Sequence, residues 1–302
     1  MATSSGPKTA SPETIIDVWQ TAITSVESNK ILIRGYPVDE LMGRLSFGDA
    51  VYLLLVGDMP SPTVSRVMEA LLVSSIDHGA IPPSTIAART VAGTGAPLRT
   101  AAAAGVLALG SPLGGGGSIE ACMRFLNEGL AVLGDWVSYD DAARRLLDQR
   151  EGTGQLPPGY GHRIHKRDPR AARLMQLAFE LELEGGHTQL ARAVEQELTQ
   201  RRTTTSHSGG TSLNSDGAIA AVSGDLGLDA ETATLLFTIS RVPGLVAHAL
   251  EEQRRQQKRR YDEKETEVHE ILTKVCSTTR SFDTFRSDRT DCQASTERGQ
   301  VR

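Results

Sequence analysis

Val64, Val67, Met68, Leu71, Leu72 and Ile76 recur three and four residues apart. That spacing puts their side chains on one face of an α-helix and commits this part of the chain to pack as one. Pro60 and Pro62 sit where proline is tolerated, at the helix start. A second helix is predicted after Ser84, with Gly93 and Gly95 interrupting the pattern before a third. The third, Arg99 to Leu109, is almost all Ala, Val and Leu and is predicted to be buried on most sides. A glycine run, Gly114 to Gly117, breaks the chain, and Ile119, Met123, Leu126 and Leu130 resume helical spacing. Further helices are expected at about 139–149, 169–183, 187–201 and 229–256. The exception is Lys30 to Tyr36, whose β-branched residues predict one strand or a hairpin arm.

Composition agrees. Aromatic residues make up 4% of the 302 residues, while Ala, Leu and Gly are common. Close-packed helices suit that mixture better than a sandwich or barrel. The length suffices for one large core or two smaller ones. A net charge of -5 without a long basic block argues against a nucleic-acid partner. Cys122, Cys276 and Cys292 are odd in number and widely spaced, which suggests free thiols rather than a disulfide framework or zinc site. No apolar run is read as approaching the roughly 20 residues that cross a bilayer, so no membrane association is expected. The first 30 residues hold no Arg and no continuous apolar stretch, against a secretory or Arg-rich leader; a cytoplasmic location is expected. Residues 1–13 are small and polar and are expected to be disordered. Arg254 to Arg260 holds four arginines and a lysine and reads as a solvated helix end, and 263–302 reads as a mobile polar tail.

Four loop stretches combine residues that carry chemistry: Ile76–Asp77–His78–Gly79; the run at 114–117; Pro157–Pro158–Gly159–Tyr160–Gly161–His162–Arg163 with Asp168–Pro169–Arg170; and Asn214–Ser215–Asp216–Gly217. Singly, each has a plain structural reading. An Asp before a helix is usually its cap, and Asp-Pro-Arg is often only a helix start. Their common order, together with Ile33–Arg34–Gly35–Tyr36–Pro37, Gly57–Asp58–Met59–Pro60 and Ser240–Arg241–Val242–Pro243–Gly244, resembles the citrate synthase family. The resemblance covers roughly residues 18–261. The chain looks most like the short proteins labelled citryl-CoA lyase and the citryl-CoA module of ATP-citrate lyase.

The resemblance implies an all-α, two-domain homodimer with a short N-terminal β segment. Residues 14–119 and 222–262 would form a large domain and 120–221 a small one, with the site in a cleft that closes over substrate. It implies carbon–carbon bond formation between an acyl-CoA α-carbon and a 2-oxo dicarboxylic acid such as oxaloacetate, or citryl-CoA cleavage, the reverse. A catalytically impaired binding homologue is the remaining alternative. CoA enters as a thioester substrate, and no tightly bound cofactor or metal is implied. Asp216 matches the base and His162 the donor to the keto oxygen. His78, Arg170 and Arg241 match the oxo-acid pocket, and Arg260 loosely matches a third arginine. Gly159, Tyr160 and Gly161 match the loop under the CoA adenine. The family usually places a histidine where this sequence has Gly114 or Gly115.

Overall fold

The computed structural model describes residues 20–110, 117–133, 138–151, 155–162, 165–204 and 211–282, with side chains except at 202–204, 260–265 and 274–282. The expected β segment is a small antiparallel sheet of three strands in sequence order, β1 (Thr24–Glu27), β2 (Lys30–Ile33) and β3 (Tyr36–Pro37). Asn29, with φ of 60°, turns β1 into β2, opposing Thr24 to Ile33 and Glu27 to Lys30.

Eleven helices are described after the sheet: α1 (Val38–Leu41), α2 (Phe47–Val56), α3 (Pro62–Ser74), α4 (Pro83–Gly93), α5 (Leu98–Leu107), α6 (Gly117–Leu130), α7 (Tyr139–Asp148), α8 (Pro169–Glu180), α9 (Gly186–Thr204), α10 (Ser215–Asp225) and α11 (Ala230–Phe282). Several starts are written in local chemistry. Ser46 and Asp49 form a capping box at α2, and the Ser46 hydroxyl also donates to Glu69 at 2.6 Å. Ser61, Ser138, Asp168 and Asn214 cap α3, α7, α8 and α10 through their side-chain oxygens.

The predicted stripe on α3 does face inward: Val67, Met68, Leu71 and Leu72 are buried. They join Ile119, Met123 and Leu126 of α6, Leu174 of α8, Leu190 and Val194 of α9, Ile219 of α10 and Phe237 of α11 in one continuous core. A smaller core of Ala88, Ala92, Ala101, Leu245 and Ala249 joins α4, α5 and α11. Small residues let these helices approach closely, since a Cβ on Gly105 would lie 3.1 Å from that of Ala88.

Three expectations change. Helix α5 is not buried on most sides: Ala101 and Gly105 are its buried residues, and Leu107 is 87% exposed. Its apolarity on every side therefore does not report how many sides pack. The last helix does not give way to a tail at 263. It runs 53 residues, through Phe282. Residues 263–275 combine good helix formers with Val268, Ile271, Leu272 and Val275 at three- and four-residue spacings, which continues the helical pattern. Residues 283–302 and 1–13 lie outside the described set. Finally, 230–259 includes an 18-residue window of mean hydropathy 1.4, long and apolar enough to cross a bilayer by length and composition, which corrects the reading that no stretch reaches that length. Much of this apolar surface serves the two cores: 44% of the window is buried, and the same helix carries the buried Arg241.

Leu126 is fully buried at the centre of the main core. Leu126→Ala is expected to lower unfolding free energy by about 2–5 kcal/mol, read as a lower urea midpoint at unchanged slope.

Candidate active site

Two loops are stapled together by backbone. Tyr160 pairs with Leu213 in an isolated antiparallel bridge. Gly161 N donates to Ser212 O at 2.8 Å, Asn214 N to Gly159 O at 2.9 Å, and the Asn214 side chain to Gly161 O at 2.9 Å. The approach requires glycine on both sides. Gly159 has φ of +84°, and a Cβ there would lie 2.4 Å from Cys122 Sγ and 2.8 Å from Gly217 Cα. A Cβ on Gly217 would lie 2.3 Å from Gly159 O. The Tyr160 ring is buried beneath this staple, and its hydroxyl donates to Ala191 O at 3.0 Å. At the loop's end, His162 Nδ1 accepts from His165 N at 3.0 Å. An acceptor at Nδ1 puts the proton of the neutral ring on Nε2.

Asp168 ties these loops to an arginine. Its carboxylate, 1% exposed, caps α8 at Arg170 N and accepts from Ser215 N, the first residue of α10, at 3.2 Å. It also holds the Arg170 guanidinium on both oxygens, from Nε at 3.0 Å and Nη2 at 2.8 Å. Burial pushes the Asp168 carboxyl up, but the Arg170 hydrogen bonds and charge outweigh it and hold the carboxyl below its ordinary range.

The second arginine approaches from α11. Arg241 is 1% exposed, and its guanidinium carbon lies 4.8 Å from the centroid of the Phe237 ring. Its Nε and Nη1 have no hydrogen-bond partner among the described residues. Burial, with Arg170 adding to it, brings its pKa down to about 10 against the opposing pull of Asp77 and Asp216. The Ile76–Gly79 turn packs against the same helix at Gly244, where a Cβ would lie 2.5 Å from Ile76 O. Asp77 fixes this turn by accepting from Gly79 N at 2.9 Å and contacting His248 Nε2 at 3.1 Å. His78 therefore faces a cationic field: desolvation first, then Arg241, Arg170 and His162, hold its pKa below the ordinary value, while Asp77 pulls the other way.

Asp216 stands in the first turn of α10, among these cations. Burial raises its carboxyl pKa; Arg170, Arg241 and a hydrogen bond from Ser118 oppose the rise, and Asp168 adds to it. A carboxylate at a helix start ordinarily has its pKa lowered by the helix dipole, so desolvation decides the outcome here. Cys122 lies directly behind, fully buried, with its thiol pushed far up by burial and by Asp216.

His78, Arg170, Arg241 and Asp216 thus share one electrostatic neighbourhood, with His162 acting on His78. The Arg260 side chain and Gly114 and Gly115 lie outside the described residues. Sequence reasoning gave no role to Ser118 or His248, and it named Asp77 and Asp168 within their stretches without assigning either a partner. Asp77 and His248 lie 171 residues apart, and no local pattern pairs them.

In a mainly helical protein, two helix-borne arginines act on both the buried Asp216 carboxyl and His78, an arrangement suited to holding an anion beside a proton-transfer group. The profile of the family described as citrate synthase, C-terminal domain, matches residues 58–262, and the chain belongs to the citrate synthase family. It is 30% identical to a citrate synthase of Heyndrickxia coagulans over 230 residues, covering 74% of this chain and 57% of that one. It is 29% identical to citrate synthase 2 of Bacillus subtilis over 202 residues, 66% of this chain and 50% of that one. The chain spans little more than half the length of these curated relatives. Among solved structures, the citryl-CoA lyase from Hydrogenobacter thermophilus superposes with a TM-score of 0.68 at 44% identity, over 78% of this chain and 87% of that one. The Thermoplasma acidophilum citrate synthase shares the fold at a TM-score of 0.55 and 24% identity, over 68% of this chain and 52% of that one.

Asp168→Asn is expected to cost roughly 3–5 kcal/mol, because it leaves the Arg170 guanidinium without its counter-charge. The lowered carboxyl pKa contributes stability that is present above the unfolded-state pKa and lost as pH falls through the folded one. The variant's stability should therefore depend less on pH across the acid range, as read by denaturant titrations.

Proposed function

We propose that this chain makes and breaks the bond between the α-carbon of a CoA thioester and the keto carbon of a 2-oxo dicarboxylic acid, and that it works as a citryl-CoA lyase yielding acetyl-CoA and oxaloacetate. The observation that carries the substrate class is Arg241. A buried guanidinium with two nitrogens unpartnered among the described residues, beside a second arginine held by Asp168, is a socket for a carboxylate. The lyase direction is supported by the 44% identity to a citryl-CoA lyase over 87% of its length. Synthesis from acetyl-CoA and oxaloacetate is the second reading, favoured by the likeness to citrate synthases. Both directions share one transition state.

In this reading Arg170 and Arg241 hold the oxo-acid carboxylates, with His78 beside them. In synthesis the His162 Nε2–H gives its proton to the keto oxygen as the carbon–carbon bond forms; in cleavage the same nitrogen takes that proton back from the citryl hydroxyl, leaving the alkoxide that becomes the keto oxygen of oxaloacetate. Collapse of the alkoxide sends the carbon–carbon bonding electrons to the thioester, as an enolate. Asp216 in its acid form, which burial favours, returns a proton to the α-carbon to form acetyl-CoA. In synthesis the same carboxylate takes that proton. Ser118, at the start of α6, orients the Asp216 carboxyl. The histidine that usually donates to the thioester oxygen in this family is replaced by Gly114 or Gly115, so water or a backbone N–H takes that role in this reading. The Gly159–Gly161 backbone, already bonded to 212–214, supplies a rigid ledge for the CoA adenine. The lobes 14–119 with 222–262 and 120–221 close over substrate to exclude water. A homodimer in the cytoplasm completes the proposal.

Purified protein given citryl-CoA is expected to release oxaloacetate and acetyl-CoA, each measured by a coupled assay. Asp216→Asn should lower kcat about 10²–10⁴-fold, consistent with loss of a positioned acid-base group. Arg241→Gln should raise KM at least about 30-fold, equivalent to losing about 2 kcal/mol or more of buried charge pairing. No turnover in either direction, with unchanged folding, would remove the catalytic reading. The raised Asp216 pKa also has a sign: cleavage should fall as pH rises through it, and synthesis should rise with pH over the same range.

A further inference from the structure

Asp77 lies beside Arg241 and is bonded to other groups. Arg241, Gly244 and His248 follow one another at three and four residues on α11, so they share one face of the helix. The Ile76–Gly79 turn lies across that face. A Cβ on Gly244 would stand 2.7 Å from Asp77 Oδ1 and 3.1 Å from Asp77 Cα. Gly244 itself is only three residues past Arg241, roughly 4.5 Å along the axis. Of the charges acting on Arg241, Asp77 is the strongest, ahead of Arg170 and Asp216.

A buried guanidinium with unpartnered donors and an anion this near ordinarily close on one another. Gly244, between them on the helix, has no side chain to bar the way. Yet Arg241 Nε and Nη1 have no partner among the described residues, while both Asp77 oxygens are engaged. Oδ2 accepts from Gly79 N at 2.9 Å, and Oδ1 lies 3.1 Å from His248 Nε2. A ring nitrogen that bonds a carboxylate is an N–H donor, whether the imidazole is neutral or charged. Asp77 is an anion in this position. Burial pushes its carboxyl up, but the backbone N–H groups of Gly79 and His78, with His248, outweigh that and hold it below the ordinary range. The Asp77 side chain is 44% exposed, and a pair so open to water adds little to stability. What the pair does control is where the carboxylate stays.

We propose that His248 is a positioning residue for the oxo-acid pocket: by holding the Asp77 carboxylate it keeps Arg241 open for a substrate carboxylate, a role that rests on the reading of Arg241 as a carboxylate socket. Without His248 the chain supplies its own anion to that socket. Asp77 then competes with the oxo acid, and apparent affinity falls to the fraction of molecules whose socket is still open. The CoA thioester makes no use of Arg241 in this reading, so the effect is confined to the oxo acid.

Calorimetric titration of the full chain with oxaloacetate, beside turnover in the synthesis direction, tests this role. His248→Ala is expected to weaken oxaloacetate binding about tenfold, as when Asp77 fills the socket in about nine molecules of ten, with KM for acetyl-CoA changed less than about threefold. His248→Gln keeps an N–H donor and should restore most of the affinity. The deciding variant is His248→Ala/Asp77→Asn. An asparagine side chain still accepts from Gly79 N but carries no charge to Arg241, so binding should return to within about threefold of Asp77→Asn alone. A residue that only pinned the turn would show no such recovery. Unchanged oxaloacetate affinity in His248→Ala, an equal loss for acetyl-CoA, or no recovery in the double variant would each overturn the proposal and leave the socket standing. A wild-type chain that binds no oxaloacetate would overturn the socket and this role together. Binding without reaction would remove only the catalytic reading, because calorimetry then still decides what His248 does.

Discussion

The site depends on one buried carboxylate with four donors. Asp168 accepts the first free backbone N–H groups of α8 and of α10 and grips Arg170 through both oxygens. Two helix starts are thereby fixed relative to one guanidinium. Asp216 sits one residue into the helix so fixed, and the 157–162 loop is stapled to the approach of that helix through Asn214. A carboxylate buried to this degree is tolerable only when its lone pairs are filled, and here cation and amides fill them together.

Charge balance around this anchor is deliberately incomplete. Arg170 has its counter-charge in Asp168, while Arg241 is buried with an aromatic ring beside it and two nitrogens without a described partner. Asp216 responds to burial more than to either arginine, so its pKa rises in a cationic setting. A ligand that brings negative charge to the arginines relieves the buried cation and pushes the buried Asp216 acid further up.

Much of the fold was legible in advance because its signals are local. The stripe from Val64 to Leu72, the Asp168 cap and the break at Gly93 and Gly95 require only neighbouring residues to be understood. Periodicity said less about partners. Helix α5 is apolar all round yet buries chiefly Ala101 and Gly105, and α11 passes the length and hydropathy test for a membrane span while its buried residues build two protein cores. The end of α11 was misplaced because charge and polarity were taken as signs of a tail, although charged residues at 263–270 are good helix formers.

The order of the four loop stretches was a property of the sequence alone; it indicated the family and nominated His78, His162, Arg170, Arg241 and Asp216 as site residues. Why glycine stands at 159 and 217 was decided by the close backbone approach of the two loops. Only the tertiary structure decided that Asp168 is a clamp as well as a cap, that Asp77 and His248 brace the His78 turn from 171 residues apart, and that Asp216 is raised rather than lowered. The physical reason is common to all three. Caps and helical stripes are set within a few residues of chain, whereas desolvation and charge balance depend on which distant helices converge on the same few ångströms.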